Sequence, residues 1–385
     1  MPVLSGAARS PRRAAAGIAA VAAFALLTGC AAEPSPAEPP AGGNAAPTGN
    51  PQSSGIPGEP QVIATGLEVP WAVSFLPDGD ALVTERGTAR ILQVSPDGGV
   101  TPVGVVDGVR ARGEGGLLGV AVSPDFATDR TVVVYYTAED ENRIVALTVA
   151  EDGTIDGADQ RVLVDGIPSG RTHNGGGLRF GPDGHLWVGT GDAGNSDSSQ
   201  DPGDLGGKIL RITLDGEAAP DNPDGTPVYA LGIRNSQGID FGPDGTAYAS
   251  EFGANLADEL NRIEAGANYG WPELEGAESD HGEPVDERYT EPLLSWAPEE
   301  ASPSGLAQAG GSLWMSSLRG ERLWRIPLND DGSVGEAEEL LTDHGRIRGV
   351  TATPDGSAVW VTTSNRETGR NPDADDDRII VLPLE

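Results

Sequence analysis

The sequence predicts an all-β protein, a six-bladed β-propeller of four-stranded antiparallel blades, on three observations. A turn signal, an alternating apolar stretch and a second apolar stretch carrying a basic residue recur six times after about residue 60. The composition holds 55 Gly and 31 Pro against 5% aromatic residues, which suits many strands joined by tight turns. No long segment shows the 3.6-residue apolar period that the helices of a parallel α/β fold would need.

The copies follow in chain order. Pro77-Asp78-Gly79 precedes 81–84 and 90–94, and Ser123-Pro124-Asp125 precedes 132–136 and 143–147. Pro182-Asp183-Gly184 precedes 186–190 and 208–212, and Pro243-Asp244-Gly245 precedes 247–249 and 259–263. The fifth copy is degenerate, with Gly310-Gly311 before 312–315 and 322–326. Pro354-Asp355-Gly356 precedes 359–361 and 378–382. In the Pro-Asp-Gly turns Pro fixes one dihedral and Gly tolerates positive φ. Alternating residues after it mark strands half buried against neighbours. A period of about 40–60 residues with several strands per unit marks a propeller. The last copy ends at the C-terminus, so residues 61–64 are expected to close the ring.

Ahead of the propeller, residues 1–29 read as an export leader. Arg9, Arg12 and Arg13 precede an apolar stretch, 14–26, too short to span a bilayer. Leu27-Thr28-Gly29-Cys30 resembles the lipobox of bacterial lipoproteins, in which the Cys is lipidated. The other reading is an ordinary signal peptide with an incidental Cys. Cys30 is the sole cysteine, which excludes an intramolecular disulfide. Residues 30–58 are rich in Pro, Ala, Gly and Ser and read as a disordered linker. Residues 59–385 are then the propeller domain, lipid-anchored outside the cytoplasm, with the membrane touched only through that anchor. A net charge of -34 argues against nucleic-acid partners.

Residues flanking the repeats should converge at the channel mouth. His173 stands before Gly175-Gly176-Gly177, and Asp192 ends the same repeat. His suits proton transfer near neutral pH. Arg234 and Asn235 precede the fourth repeat, and Arg346 and Arg348 alternate on an extended segment, so both can face one side. Two such guanidinium groups repel unless an anion lies between them, and with Arg319 they suggest a ligand carrying carboxylates. The stretch from Glu251 to Glu259 is oxygen-rich and suits Ca²⁺. Each residue also has an ordinary reading: a surface-loop His, a turn Asp, surface arginines.

Taken in order, Gly113-Glu114-Gly115-Gly116, His173-Asn174-Gly175-Gly176, Gly191-Asp192, Arg234-Asn235, Glu251 to Glu259, Asn268-Tyr269-Gly270-Trp271-Pro272, Leu318-Arg319 and Arg346-Ile347-Arg348 resemble the soluble glucose/sorbosone dehydrogenases. These are the aldose sugar dehydrogenases that depend on pyrroloquinoline quinone (PQQ). The resemblance covers nearly all of residues 60–385 and implies a quinoprotein oxidoreductase acting on the CH-OH group of sugars. It implies His173 as general base, Asp192 as its orienting carboxylate and Arg234 as the group that polarises the quinone. Glu114, Arg234, Asn235, Arg319, Arg346 and Arg348 are the implied cofactor contacts. The carbonyls of Gly253 and Ala254 match one Ca²⁺ site, and Glu259 and Tyr269 match a second. Hydride would pass from the anomeric carbon of an aldose to the quinone, giving a lactone, with electrons handed to an acceptor the sequence does not identify.

Glu114 is a departure, because well-known members have Gln there. A carboxylate at that position is expected to be repelled by a triply acidic cofactor unless protonated or bridged by metal. The long insertions of the glucose-specific branch are absent, which implies an open, tolerant pocket. Two other functions fit a propeller: a calcium-dependent lactonase or hydrolase, which would not need the arginine set, and a non-catalytic binding protein.

Overall fold

Four of the six repeats share one turn chemistry at atomic detail. Asp78, Asp183, Asp244 and Asp355 each accept, through Oδ1, the N–H two residues on, at 3.0–3.2 Å. The Gly that follows takes positive φ, 77° at Gly184, which a side chain would oppose. This reverses the chain between the first and second strand of a blade.

The computed structural model describes residues 55–282, 284–368 and 372–385. Its strands form six four-stranded sheets, antiparallel throughout, as in the pairing of Leu186–Gly189 with both neighbours. The innermost strands are Pro70–Phe75, Leu117–Val122, Gly177–Phe180, Ser236–Phe241, Pro303–Ala309 and Ile347–Ala352. Each packs against the next and the sixth packs against the first, so the ring is closed. They surround a narrow central cavity lined by Trp71, Gly119, Leu178, Gln237, Gly305 and Gly349 among others. We number the blades 1 to 6 by these strands.

Gln61–Ala64 does complete the last blade, pairing antiparallel with Ile379–Pro383. The Asp377 carboxylate reinforces the closure by accepting the N–H groups of Val69 (3.3 Å) and Asn365 (2.5 Å). The middle strands depart from the half-buried expectation. Ala81–Glu85, Leu186–Gly189 and Ser312–Ser317 are buried along their whole length. The cause is face-to-face packing of blades: one core cluster joins Leu118, Val133 and Tyr135 of blade 2 to Leu186, Val188 and Leu210 of blade 3. Among the described residues helix is confined to short turns such as Phe126–Asp129, and none is long and apolar enough to cross a membrane. The expected leader, most of the expected linker, and Cys30 lie outside the described residues.

Candidate active site

His173 and Arg234, on the loops entering the innermost strands of blades 3 and 4, meet Asp192, which follows the second strand of blade 3, Leu186–Gly189. His173 Nδ1 lies 2.7 Å from Asp192 Oδ1, and His173 Nε2 lies 2.9 Å from an Arg234 terminal nitrogen. Burial works to raise the Asp192 pKa, but hydrogen bonds from His173, the Gly194 N–H and Trp271 outweigh it and hold the pKa below the usual value. An ionised Asp192 only accepts, and a guanidinium only donates. These two partners therefore fix one tautomer, with the proton on Nδ1 and a lone pair on Nε2. That is a base with its acceptor nitrogen turned toward Arg234.

The backbone holds this arrangement against its own preference. His173 sits at φ 56°, a region that non-Gly residues seldom occupy. Glu114 Oε2 accepts the His173 N–H at 2.8 Å, and the His173 carbonyl accepts the Ala193 N–H at 3.1 Å. Glu114 is thus a clamp on the histidine loop, and it also lies near the Arg86 guanidinium, whose pKa burial lowers against the opposing charges of Glu367 and Glu114. Asn235 likewise has a structural task, since its Oδ1 accepts the Gly175 N–H at 2.9 Å. A Cβ at Gly191 would lie 2.1 Å from the His173 carbonyl oxygen. Gly191→Ala is therefore expected to destabilise the fold by about 1–3 kcal/mol, read as a lowered denaturation midpoint. An unchanged midpoint would show that the loop yields instead.

Trp271 closes the cluster. Its Nε1–H donates to Asp192 Oδ2 at 2.9 Å, and Arg234 lies over its ring at 5.4 Å. The sequence motif contained Trp271 without indicating this contact, which depends on two loops far apart in the chain.

Arg234 also donates to the Gly253 carbonyl at 2.5 Å, which ties the base to the oxygen-rich loop. That loop is held from behind. Glu275 Oε1 accepts four successive N–H groups, from Ala254, Asn255, Leu256 and Ala257, at 2.6–3.1 Å. In a trans peptide each carbonyl opposes the next N–H, so the carbonyls of Gly253 and Ala254 are turned away from Glu275. Two main-chain oxygens aimed to one side suit a hard cation. Among the described residues no group of three or more His, Cys, Asp or Glu side chains converges on a metal position, so a cation here would rely on such carbonyls.

Glu259 is buried beside Glu251 across the strand pair. Asn261 Nδ2 donates to both carboxylates, at 3.0 and 3.1 Å. Burial pushes both carboxyl pKa values up, and Glu259 adds to the rise at Glu251. Asn261 Oδ1 is buried with no hydrogen-bond partner among the described residues. Two crowded carboxylates and an orphaned amide oxygen are a donor set a cation would satisfy. The Tyr269 hydroxyl is already engaged, donating to the Arg262 carbonyl and accepting the Glu264 N–H, so this residue has only its main chain to offer.

Arg346 and Arg348 do face a common anion, but it comes from the chain itself. Glu367, on the short turn Arg366–Thr368, lies 3.4 Å from Arg346 and in direct contact with Arg348. Arg86, missed in the sequence, stands 3.5 Å from the same carboxylate. Burial acts to raise the Glu367 pKa, yet Arg348, Arg86 and Arg346 overcome it and hold it at about 2. Three guanidinium groups share one carboxylate, and Arg86 Nε and Arg234 Nε are buried with no partner among the described residues. The excess of positive charge and free donors fits an acidic ligand. Arg319 is exposed and joins no ion pair with these groups among the described residues.

The chain is similar to known proteins along most of its propeller. The sequence profile described as Glucose / Sorbosone dehydrogenase matches residues 67–370. The quinoprotein glucose dehydrogenase B of Acinetobacter calcoaceticus is 33% identical over 257 residues, covering 58% of this chain and 54% of that protein. The chain therefore spans about half the length of that relative. The aldose sugar dehydrogenase of Escherichia coli K12 is 31% identical over 326 residues, covering 77% of this chain and 87% of its own. Among solved structures, the PQQ-bound form of an aldose sugar dehydrogenase from Streptomyces coelicolor superposes with a TM-score of 0.80 at 44% identity, over 85% of this chain and 98% of that one.

Proposed function

This chain belongs to the glucose/sorbosone dehydrogenase family, and on that footing we propose that it is a PQQ-dependent dehydrogenase oxidising the anomeric hydroxyl of aldoses to lactones. The observation that carries the proposal is His173, whose Nδ1 proton is fixed on ionised Asp192 while Nε2 keeps a lone pair.

PQQ with Ca²⁺, when bound, supplies a two-electron sink for the hydride leaving the sugar carbon. The protein's part is to take the proton. His173 Nε2 accepts it from the anomeric hydroxyl, and Asp192 stabilises the imidazolium so formed. The hydroxyl must reach the acceptor that Arg234 occupies here, so Arg234 is left to donate to negative charge developing nearby. Arg86, Arg346, Arg348 and the Arg234 Nε–H would hold the acidic cofactor, and Glu114 would act on it only through the His173 loop and Arg86. Gly253 and Ala254 would hold one Ca²⁺. Glu259, with Glu251, the Asn261 amide oxygen and the Tyr269 main chain, would hold another. Arg319, which is exposed, would add a further positive charge for the acidic cofactor. The chain's export, its lipid anchor at Cys30, the division at residues 29 and 58, and passage of electrons to an external acceptor belong to the same proposal.

Titrating purified apoprotein with PQQ and Ca²⁺ tests the reading. A saturable bound-quinone spectrum that an aldose reduces is the expected result, and no saturable binding would overturn it. Because Ca²⁺ would bind the native state only, EDTA is expected to lower the melting temperature of the apoprotein and abolish quinone binding. If EDTA changes neither, calcium leaves the account.

A further inference from the structure

We infer that Glu367 is an exchangeable internal counter-ion: it neutralises Arg86, Arg346 and Arg348 while the site is empty and competes with the carboxylate of an arriving ligand. The inference rests on the PQQ reading for the identity of that ligand, but the arrangement is independent of it.

Three observations support it. Arg86, just after a strand of the first blade, is brought to Arg346 and Arg348 at the innermost strand of the last, and like charges brought together out of water need an opposite charge among them. Glu367 supplies it with both oxygens, Oε1 toward Arg86 and Oε2 toward Arg346 and Arg348. Secondly, the carboxylate rests on a short 3₁₀ turn, Arg366–Thr368, outside the strands of blade 6. Among the described residues, Ser364 Oγ, at 2.9 Å, is the other group that donates to it. Its position is therefore set by the arginines and one hydroxyl rather than by a sheet. Thirdly, the arginines have other anchors that survive without it. Arg86 donates to the Gly113 carbonyl (2.5 Å), Arg346 to the Leu318 carbonyl (3.2 Å), and Arg348 to Gln237 Oε1 (3.3 Å). Removing the carboxylate leaves these anchors and takes away the negative charge that the three guanidinium groups share.

A counter-ion and a structural strut differ in the sign of one effect. Removing a counter-ion destabilises the empty protein more than the loaded one, so the ligand binds tighter. Removing a strut disorders the arginines, so the ligand binds more weakly. Glu367→Gln is expected to lower the melting temperature of the apoprotein. Acetate at tens of millimolar is expected to restore it in the variant while leaving wild type unchanged. PQQ is expected to bind the variant about tenfold tighter than wild type, equivalent to about 1.4 kcal/mol.

Glu367→Asp keeps the charge and withdraws it by one methylene. It is expected to tighten PQQ binding in the same direction by about threefold, and it serves if Glu367→Gln does not fold. Weaker or unchanged PQQ binding in the variants overturns the proposal, as does a loss of melting temperature that acetate fails to recover. If wild type binds no PQQ, the cofactor reading fails. The acetate experiment then decides the counter-ion by itself, recovery of Glu367→Gln or Glu367→Asp supporting it and none overturning it.

Discussion

His173→Gln, reconstituted with PQQ and Ca²⁺, is expected to oxidise aldoses about 10²–10⁴-fold more slowly than wild type, the usual effect of losing a general base. Gln keeps an amide that can bridge Asp192 and Arg234, so the loop and the arginines keep their partners. What it lacks is a nitrogen lone pair able to take a proton. Cofactor occupancy is therefore expected to be unchanged and is measured first. His173 sits at φ 56°, so the melting temperature of the variant is compared as well, to separate strain from chemistry. Stopped-flow reduction by sugar, at matched occupancy, is the deciding measurement. A wild-type rate in the fully loaded variant would remove His173 from the role of base.

The fold was legible because its information is local and repeated. A Pro-Asp-Gly turn is set by residues in contact with one another, and the Asp183 hydrogen bond to the His185 N–H spans two positions. Even the degenerate fifth turn kept its two glycines, at φ 54° and 70°. Closure by residues 61–64 followed from counting strands. Burial of the middle strands on both faces was not legible, because it depends on which blade packs against which.

The site was legible only in part, and the division is physical. His173, Asp192 and Arg234 are marked by glycine runs and strand ends, and the structure brings them within hydrogen-bond reach. Glu275, Glu367 and Arg86 left no local signal. Glu275 acts on a loop about twenty residues away, and Glu367 meets Arg86 across the ring closure between the last blade and the first. In a very acidic chain, the one glutamate that neutralises three arginines looks like any other. The anion expected between Arg346 and Arg348 was a correct physical demand, met in this structure from inside the chain.

Asp192→Asn is expected to slow sugar oxidation on the order of 10- to 100-fold, the effect of a charge-assisted hydrogen bond worth about 1.5–3 kcal/mol. The substitution is isosteric but not equivalent, because three donors converge on this carboxylate. His173 Nδ1 and the Gly194 N–H meet Oδ1, and Trp271 Nε1 meets Oδ2. An amide has one acceptor oxygen, so one of its two orientations sets its NH₂ against Trp271 and the other sets it against His173 and Gly194. The first satisfies more donors and keeps the histidine tautomer, but it pushes Trp271 away, and Arg234 rests over that ring. Asp192→Asn combined with Trp271→Phe removes the opposed donor and is expected to recover part of the rate, leaving the loss of counter-charge to the imidazolium. The pH dependence of stability gives a second reading. The Asp192 pKa is depressed in the fold, so its contribution is full above an ordinary value of about 4 and is lost as pH falls through the lower folded value. The acid limb of the unfolding curve is expected to be shallower in Asp192→Asn. If the double variant is slower than Asp192→Asn alone, Trp271 does not act through this carboxylate.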